Sequence, residues 1–348
     1  MNLDKARARC TDLLADLHVR RSKGERPSCD LLVFDIEGEI HAITAPFVEE
    51  IEGQKHETIA AEITVYNPTK PIIEDGKQYL LGRVEPRGSE LSRVMLFEET
   101  GGVWKPVKNG PVFRLQDPFH VPNVQGYHVF GGVHVEKDPQ FAGSLKWKTV
   151  FYRYRRSITE LKNDPSPFAE SPYGMKDIRL IELDNGRIAV FTRPQGGEAG
   201  RGKVAYIEIA SLDDLQEAIP RAEIIPGQFY EDEWGGVNEL HLLSNGKIGV
   251  LGHIAYEEEA SPGVRVRHYF AMAFMFDPRT KQASPIKLLT TADDFPYLVP
   301  KKPELGKVIF SGGLIRMEDG TAILYVGVGD VAAGRARISD PFLEYERQ

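Results

Sequence analysis

The sequence has few cysteines and no long apolar run. Its 348 residues include two cysteines, Cys10 and Cys29, and neither has a histidine or another cysteine at the spacing of a metal site. Two thiols are too few for the disulfide framework of a small secreted protein. The N-terminal segment lacks the apolar core of a signal peptide, and no stretch has the length of a membrane span. We therefore expect a cytoplasmic protein with no membrane association.

Net positive charge and the common nucleotide motifs are also lacking. The formal net charge is -8, which disfavours nucleic acid as a partner. No glycine-rich loop stands between a strand and a helix, so neither a P-loop nor a dinucleotide fingerprint applies, and no G-x-S-x-G elbow occurs. Glu239 and His241 are two residues apart at a spacing that would suit one face of a strand, but this pair is weak evidence for a metal. We expect no metal and no cofactor.

The sequence does contain a repeated turn. A glycine-centred turn precedes a short apolar strand five times, at spacings of 50, 60, 60 and 74 residues. The turn glycines are Gly76, Gly126, Gly186, Gly246 and Gly320. One four-stranded propeller blade plus its loops suits these spacings. The repeat therefore predicts an all-β, five-bladed β-propeller, with six blades as the structural alternative.

The segments around the repeat complete the predicted organisation. Apolar residues at helical spacing predict an amphipathic helix over residues 3–19, and residues 211–219 predict one further short helix. From Asp30 onward the pattern is strand-like, including residues 31–38, 39–46 and 58–67. The first two of these segments could supply an outer strand or part of an uncounted blade. We expect an N-terminal helix and lead-in over residues 1–28, followed by a single propeller domain over residues 29–348.

Polar and ionisable residues recur at fixed distances from the turn glycines. Seven residues after each glycine stand, in order, Arg83, Val133, Arg193, His253 and Gly327. Nine residues before the first three stand Asn67, Asp117 and Asp177, while Asn238 stands eight before the fourth. Residues equidistant from a hairpin turn face each other across the two strands. The expected neighbours are Asn67 with Arg83, Asp177 with Arg193, and Asn238 with His253. This pattern predicts a polar site at one end of the propeller axis.

Single members of this set have simpler interpretations. Asp117 precedes a proline and could serve a turn, Lys176 and Asp177 could form a surface ion pair, and His253 could be a core histidine. Their shared level in the repeat favours a site instead. Guanidinium groups bind phosphate or carboxylate by forked hydrogen bonds, so arginines at this level suggest an oxyanion ligand. Further candidates are Arg155, in a run of arginines, and Tyr325 and Asp330 in the last repeat.

Several motifs resemble one known family. They are VYNPTKPIIEDGKQYLLGRVEPRGSELS, LQDPFHV, GMKDIRL, VFTRPQG, EWGGVNE, GVLGHIA, FSGGL and LYVGVGD, and the resemblance that they carry covers roughly residues 30–343. In this order they resemble the family of unknown function 1861, also classified as glycosyltransferase family 108, the mannosyltransferases and phosphorylases of β-1,2-mannan metabolism. A more distant similarity runs to the mannoside phosphorylases of glycoside hydrolase family 130. Both groups are five-bladed propellers, in agreement with the glycine count.

The resemblance implies a role for each candidate. Asp117 matches the general acid. The residues that match the phosphate site are Arg155 or its neighbouring arginines, Lys176, Arg193 and His253. Asn67, Arg83, Asp177 and Asp330 match residues that hold the terminal sugar, and Asn238 and Tyr325 join this set from their level in the repeat. The sequence departs from the more distant phosphorylases at Phe119, where those enzymes usually place an arginine, which puts the acceptor-side contacts in question.

The expected function is an inverting β-mannoside phosphorylase or mannosyltransferase. Its partners would be a mannose-containing oligosaccharide and either inorganic phosphate or mannose 1-phosphate, whereas the oligomeric state is left open. Two alternatives remain. One is an inverting hydrolase of the same propeller type, which needs a second carboxylate; the candidates are Glu85, Glu231, Glu233 and Asp330. The other is a sugar-binding propeller without catalytic activity.

Overall fold

The protein is built mainly from antiparallel β-sheet. The computed structural model describes residues 3–48, 55, 59, 62–87, 89–141, 144–161 and 165–347. Strands dominate these ranges, so the predicted all-β class is confirmed, while the number of blades stays a prediction. Within the same ranges, no helix combines the length and the apolar run that crossing a bilayer requires.

The described strands fall into five antiparallel groups. Two short strands come first in the chain: β1 (Ser28–Leu31) and β2 (Val33–Phe34). Group 1 contains β3 (Ile63–Tyr66), β4 (Ile72–Glu74), β5 (Lys77–Pro86), β6 (Arg93–Thr100), β7 (Val103–Pro106) and β8 (Val112–Phe113). Group 2 contains β9 (Gln116–Val124), β10 (Tyr127–Lys137), β11 (Leu145–Tyr154) and β12 (Ala169–Glu170). Group 3 contains β13 (Arg179–Glu182), β14 (Ile188–Thr192), β15 (Ala205–Ile209) and β16 (Glu223–Ile224).

The last two groups extend the same pattern. Group 4 contains β17 (Trp234–Leu242), β18 (Ile248–Ser261), β19 (Val264–Asp277), β20 (Gln282–Ala283) and β21 (Lys287–Thr290). Group 5 contains β22 (Lys307–Arg316), β23 (Thr321–Val328) and β24 (Ala332–Ser339). Groups 2 and 3 are separate four-stranded sheets, whereas short parallel contacts of β19 with β22 and of β24 with β3 join groups 4, 5 and 1.

The predicted turns occur at all five repeat glycines. Gly76, Gly126, Gly186, Gly246 and Gly320 have φ angles between 76° and 80°, a left-handed conformation that costs glycine little. Each of these turns connects two consecutive antiparallel strands: β4 and β5 in group 1, and the first two strands in groups 2 to 5. The repeat seen in the sequence is therefore a hairpin near the start of each group.

The helices lie at the periphery of the sheets. They are α1 (Leu3–Ser22), α2 (Ile40–Val48), α3 (Leu215–Ala218) and α4 (Leu343–Glu346). Short 3₁₀ turns occupy Glu37–Glu39, Ile158–Glu160, Gly197–Ala199, Leu212–Asp214, Ile219–Arg221, Ala292–Asp294 and Pro303–Leu305. Helix α1 confirms the predicted N-terminal helix and ends three residues later than expected. Cys10 and Leu17 of α1 are buried in the core between groups 3 and 4, while the side chains of residues 3–8 lie outside the described ones.

The strand predicted at residues 39–46 was wrong. This segment begins in a 3₁₀ turn and continues into α2. Ile43 and Phe47, one helical turn apart, are fully buried against group 1, and the Thr44 hydroxyl donates to the Ile40 carbonyl at 2.8 Å. The apolar residues thus follow the helical period although the composition favours strands. Of the strand predicted at 58–67, residues 58, 60 and 61 lie outside the described ones, and the strand begins at Ile63.

The segment before α2 supplies two outer strands, one of the two roles predicted for it. Strand β1 pairs with β24 and completes group 5. Strand β2 runs parallel to β7 at the edge of group 1. The beginning of the sheet-forming chain is therefore hydrogen-bonded to its end, which places the two termini of the domain in one sheet.

Successive groups pack face to face. Four apolar clusters join groups that follow one another in the chain. Between groups 1 and 2, Leu81 and Leu96 face Phe130 and Val150; between groups 2 and 3, Phe119 and Phe151 face Leu180 and Val190. Between groups 3 and 4, Phe191 and Tyr206 face Val250 and Phe274; between groups 4 and 5, Leu251 and Ala271 face Leu324 and Val326. The fifth cluster lies between group 1 and α2. Because every group is anchored by its neighbours, the ends of the inner strands are held in fixed relative positions.

Phe191 tests how strongly this packing stabilises the fold. Its ring is fully buried between groups 3 and 4 and lies 5.2 Å from the ring of Phe276. Removing the ring leaves a cavity, so we expect Phe191→Ala to lower the free energy of unfolding by about 3–5 kcal/mol. Urea denaturation would measure this loss. Phe141→Ala, at a ring that is 66% exposed, is the matched control and should change stability little; equal losses in both variants would contradict the packing described.

Candidate active site

The residue pairs predicted from the repeat lie together in the structure. The Asp177 carboxylate is 3.5 Å from the Arg193 guanidinium, and Asn238 Oδ1 is 2.9 Å from His253 Nδ1. Asn67 and Arg83 meet at a third residue, because both donate to the same oxygen of Asp117. All three predicted neighbour pairs are therefore confirmed.

The backbone places these side chains in an unusual conformation. Asn67 directly follows β3, Asp117 is the second residue of β9, and Asp177 stands two residues before β13; their φ angles are 45°, 47° and 56°. Asn238 lies at a register shift in β17, and Asp330, just after β23, has a φ of 56°. Asparagine and aspartate tolerate the left-handed region better than most residues, and such strain concentrates at functional sites. Equivalent backbone features therefore direct polar side chains into one space.

Three glycines make room for the cluster. A β-carbon at Gly327 would lie 1.7 Å from Asn67 Oδ1, and one at Gly236 would lie 2.7 Å from Asp177 Cβ. One at Gly202 would lie 2.6 Å from the Arg193 guanidinium. These separations are far below van der Waals contact. Gly327, which seemed to break the polar pattern of the fifth repeat, is thus the surface against which Asn67 packs.

Asp117 is held by a buried network. Its Oδ1 accepts hydrogen bonds from Asn67 Nδ2 at 2.7 Å and from an Arg83 terminal nitrogen at 3.0 Å. The other side of Arg83 binds Glu85, with 2.7 Å between NH2 and Oε2. Glu85 also binds the Tyr66 hydroxyl at 3.0 Å, and contacts Ser92 and Lys301. Arg83, predicted to hold the sugar, therefore spends its described hydrogen bonds within the protein.

The sequence analysis missed part of this network. From the sequence, Glu85 is a candidate only for the base of a hydrolase. It stands two residues after Arg83, on the same face of the strand, and this spacing indicates a contact with that arginine. Lys301 comes from a loop more than 200 residues away, and no local pattern indicates its contact with Glu85.

The environment shifts the pKa values of the two acids near Arg83, Asp117 and Asp330, in opposite directions. Burial alone would raise the pKa of Asp117, but Arg83, Lys176 and the hydrogen bond from Asn67 together hold it below its ordinary value. Burial raises the pKa of Asp330 above its ordinary value; Arg83 opposes this effect and the Asp117 carboxylate adds to it. Asp117 is therefore ionised in the free protein at neutral pH, and Asp330 holds its proton more tightly.

The second half of the site surrounds Asp177. Arg193 is oriented by two backbone carbonyls, those of Gly235 at 2.7 Å and Arg201 at 3.2 Å, which leaves NH1 directed at Asp177. Burial lowers the pKa of His253 to about 3 against the opposing effect of Asp177, so the imidazole is neutral. Lys176 is half-buried, acts electrostatically on Asp117, Asp177 and His253, and has no hydrogen bond to any residue in the described ranges. The cationic groups here are thus Arg193 and Lys176.

Buried polar atoms in this space lack partners. Within the described part of the chain, five site atoms make no hydrogen bond: Asn67 Oδ1, both carboxylate oxygens of Asp177, Arg193 NH1 and Asn238 Nδ2. A buried polar group without a partner costs about 1–3 kcal/mol, and native proteins contain few of them. Because these side chains neighbour one another, a polar ligand bound among them would supply the missing partners.

Two predicted site residues lie elsewhere. Arg155 follows the end of β11, and its guanidinium stacks 4.1 Å from the centre of the Tyr127 ring. Because β9, β10 and β11 alternate in direction, the end of β11 and Asp117 at the start of β9 lie at opposite ends of group 2. Tyr325 is buried opposite Arg335 of β24, and its side chain interacts with that arginine. The structure therefore does not bring Arg155 or Tyr325 into the cluster.

Phe119, where the sequence departs from the distant phosphorylases, packs against a cation. The Arg179 guanidinium lies 4.4 Å from the centre of the Phe119 ring, and its Nε donates to the Asn238 carbonyl at 2.7 Å. Arg179 is fully buried, and burial lowers its pKa to about 10. A positive charge thus reaches this position from group 3, although the residue after the aspartate-proline pair is apolar.

The Glu239 and His241 pair is occupied by protein contacts. Glu239 accepts from His241 at 3.1 Å and from the Leu314 amide at 2.6 Å, and it pairs with Lys70. These side chains line a cavity of about 250 Å³ between the first strands of all five groups. In the ranges that the structure describes, no three histidine, cysteine, aspartate or glutamate side chains are arranged to hold a metal ion.

Comparisons with known proteins agree with this geometry. The family described as "Protein of unknown function (DUF1861)" matches residues 46–344. A mannose phosphorylase from Leishmania mexicana, solved with phosphate, is 32% identical over 94% of this chain and 93% of its own, with a TM-score of 0.77. A GDP-Man-dependent mannosyltransferase from the same organism is 33% identical over 91% of this chain and 90% of its own, with a TM-score of 0.75.

A more distant structure shares the fold. The β-1,2-mannobiose phosphorylase of Listeria innocua is 12% identical over 82% of this chain and 93% of its own, with a TM-score of 0.53. At this identity the likeness shows the fold alone. A search of curated proteins gave no match.

The neutral histidines predict how stability changes with pH. Burial is the main cause that lowers the pKa of both His253 and His120 to about 3, so both side chains stay uncharged in the folded protein. In the unfolded protein, a histidine becomes protonated below about pH 6.5. The unfolded state then binds more protons, so the free energy of unfolding should fall by up to about 2 kcal/mol per histidine between pH 7 and pH 5. Urea denaturation at several pH values measures this slope. His120→Gln should reduce the slope and His18→Gln, at an exposed helix position, should not; an unchanged slope in His120→Gln would contradict a neutral buried imidazole.

Proposed function

Since the chain belongs to the DUF1861 family, we propose that it is an inverting phosphorylase and mannosyltransferase of β-1,2-linked manno-oligosaccharides. It is an enzyme of the glycosyltransferase and glycoside phosphorylase class, as are its two Leishmania relatives. The proposed reaction uses inorganic phosphate in one direction and mannose 1-phosphate in the other.

The observation that carries this proposal is the division of one pocket into two halves. On one side the Asp117 carboxylate is fixed by Asn67 and Arg83. On the other side Arg193 NH1 is buried without a hydrogen-bond partner, close to Lys176. An inverting phosphorylase needs one acid at the leaving oxygen and cations that hold phosphate, since phosphate itself is the nucleophile.

Each group has a role in the proposed reaction. A phosphate oxygen held by Arg193 and Lys176 forms a bond to the anomeric carbon of the terminal mannose, and the glycosidic carbon–oxygen bond breaks. Asp117 supplies the proton that the leaving oxygen takes up, either directly or through a sugar hydroxyl. Asp177, Asn238 and Asn67 hold the sugar through their unpaired polar atoms, as we propose also for Asp330. In the reverse direction the Asp117 carboxylate accepts a proton from the acceptor hydroxyl.

Phosphate binding supplies the protonation state that the forward reaction needs. Lys176 is one of the groups that hold the pKa of Asp117 below its ordinary value. A dianion bound beside Lys176 offsets that positive charge and adds negative charge near Asp117, so it raises the pKa of the carboxyl group. The acid is therefore prepared when the nucleophile is in place.

Two of the four candidate carboxylates of the hydrolase alternative, Glu85 and Glu233, are held by protein contacts. A hydrolase needs a second carboxylate that is free to activate water. Glu85 is bound by Arg83, Tyr66, Ser92 and Lys301. Glu233 accepts hydrogen bonds from Arg9 at 3.0 Å and from the Tyr230 amide at 2.9 Å. Neither group is free to act as a base in its present contacts. An inactive sugar-binding protein would have no use for both an acid and an oxyanion pocket.

We also propose the finer architecture expected from the sequence. The five antiparallel groups and their face-to-face clusters support five blades, with β1 completing the last one. Residues 1–28 would be a lead-in, and residues 29–348 a single catalytic domain working in the cytoplasm.

Asp117→Asn tests the proposed acid. The amide keeps the size of the side chain but cannot supply the proton, so we expect the turnover number to fall about 10²–10⁴-fold. The assay follows mannose 1-phosphate release from β-1,2-mannobiose with and without inorganic phosphate. Asp184→Asn, in an exposed turn of group 3, is the control and should retain wild-type rates. Wild-type turnover in Asp117→Asn, or free mannose as the product without phosphate, would reject the assignment.

Arg193→Ala tests the phosphate half of the pocket. Losing a buried charge-assisted hydrogen bond costs about 1.5–3 kcal/mol, so the KM for phosphate should rise about 10- to 100-fold. The KM for the mannoside should change much less. Initial rates at varied phosphate and fixed sugar give both constants. Arg187→Ala, at an exposed arginine of the same group, is the matched control; an equal rise of both KM values in Arg193→Ala would argue against a specific phosphate contact.

A further inference from the structure

A second cavity lies beside the proposed active site. It has a volume of about 880 Å³, within the usual range for ligand pockets, and the loop between β21 and β22 forms most of its wall. We call it the side groove and define it by Tyr297, Val299, Lys301 and Gly329. Gly329 directly precedes Asp330, and the Lys301 amide donates to the Gly329 carbonyl at 3.0 Å. The side groove is therefore continuous with the rim of the site.

The contacts of Lys301 connect the side groove to the acid. The Lys301 ammonium contacts Glu85, Glu85 binds Arg83, and Arg83 binds Asp117. The groove wall is thus three contacts away from the carboxylate that is proposed to protonate the leaving oxygen. A chain held in the groove can extend from a sugar at the site without leaving the surface.

Two of the three cations that line the side groove are paired with carboxylates. Lys301 binds Glu85 and Glu90, and Lys307 is paired with Asp293. Arg87 donates to the Val299 and Pro300 carbonyls at 2.9 and 3.0 Å. A nucleoside diphosphate carries two phosphoryl groups that need cationic partners, and among the described residues of the groove lining only Arg87 is a cation without a carboxylate partner. A neutral ligand fits this surface.

The apolar part of the side groove has the character of a sugar-binding surface. Tyr297 is 88% exposed and Val299 is 62% exposed, which is unusual for large side chains that line a cavity. An exposed tyrosine offers a flat apolar face together with a hydroxyl group. The carbon–hydrogen face of a hexose can stack on such a ring while its hydroxyl groups remain in water. The prolines at 296, 300 and 303 hold the loop in few conformations.

We propose that the side groove binds the part of a neutral oligosaccharide that extends beyond the sugars at the bond being made or broken, with Tyr297 as the stacking surface. This inference rests on the proposed function, because the chain is taken to continue from a sugar bound at the site. We therefore expect the enzyme to prefer longer glycans.

The test compares substrates of two lengths in three variants. We expect Tyr297→Ala to lower kcat/KM for a β-1,2-linked mannohexaose roughly tenfold, the value of one lost aromatic contact, and to leave β-1,2-mannobiose within about twofold. Tyr297→Trp should restore the preference for the longer chain. Tyr173→Ala removes another exposed tyrosine, outside the groove, and should leave both substrates unaffected. If the wild type cleaves both sugars and Tyr297→Ala changes neither value, the groove assignment is overturned while the proposed function stands.

Calorimetric titration without phosphate separates binding from turnover. If the wild type cleaves neither sugar, the proposed function fails, and titration with the hexasaccharide decides the groove alone. Weaker binding to Tyr297→Ala than to the wild type supports the assignment; equal binding, or none to the wild type, overturns it. Titration with guanosine diphosphate is the opposing probe, because nucleotide binding that depends on Tyr297 would overturn the assignment to a neutral chain.

Discussion

The site depends on the burial of one negative charge. Asp117 is removed from water in a strained backbone conformation, and it is tolerated because Asn67 and Arg83 donate to the same carboxylate oxygen. Burying a carboxylate without such partners would cost more free energy than the net stability of a folded protein. These contacts join group 1 to group 2, and Glu85 and Lys301 extend them to the loop before group 5. One compensated charge therefore aligns three distant parts of the chain.

The two halves of the site differ in how far their polar groups are already paired. Around Asp117 one carboxylate oxygen accepts hydrogen bonds from both Asn67 and Arg83, so that the carboxylate is fixed before any ligand arrives. Around Asp177 they are incomplete, and polar atoms of Asp177, Arg193 and Asn238 are buried without partners. A ligand that supplies both hydroxyl groups and negatively charged oxygens completes this second half. Preorganised and unsatisfied groups thus stand side by side, as a phosphorylase requires.

The sequence predicts the repeated part of this protein better than its exceptions. Turn glycines and polar residues at constant distances predicted which side chains face each other, because hairpin geometry is local. The 39–46 segment was misassigned because isoleucine and threonine favour strands while the burial of Ile43 and Phe47 decided for a helix. Arg155 is a candidate through the family resemblance, and the alternating strand directions place it at the opposite end of group 2 from Asp117. Lys301 reaches Glu85 through tertiary structure alone.

The three glycines against the site give a way to recognise this pocket in other sequences. Gly202, Gly236 and Gly327 contact Arg193, Asp177 and Asn67 so closely that any side chain there would displace a polar group of the site. A protein could keep every acid and cation and still lose the arrangement through a single alanine. We therefore expect glycine at these three positions wherever this arrangement of polar side chains is kept.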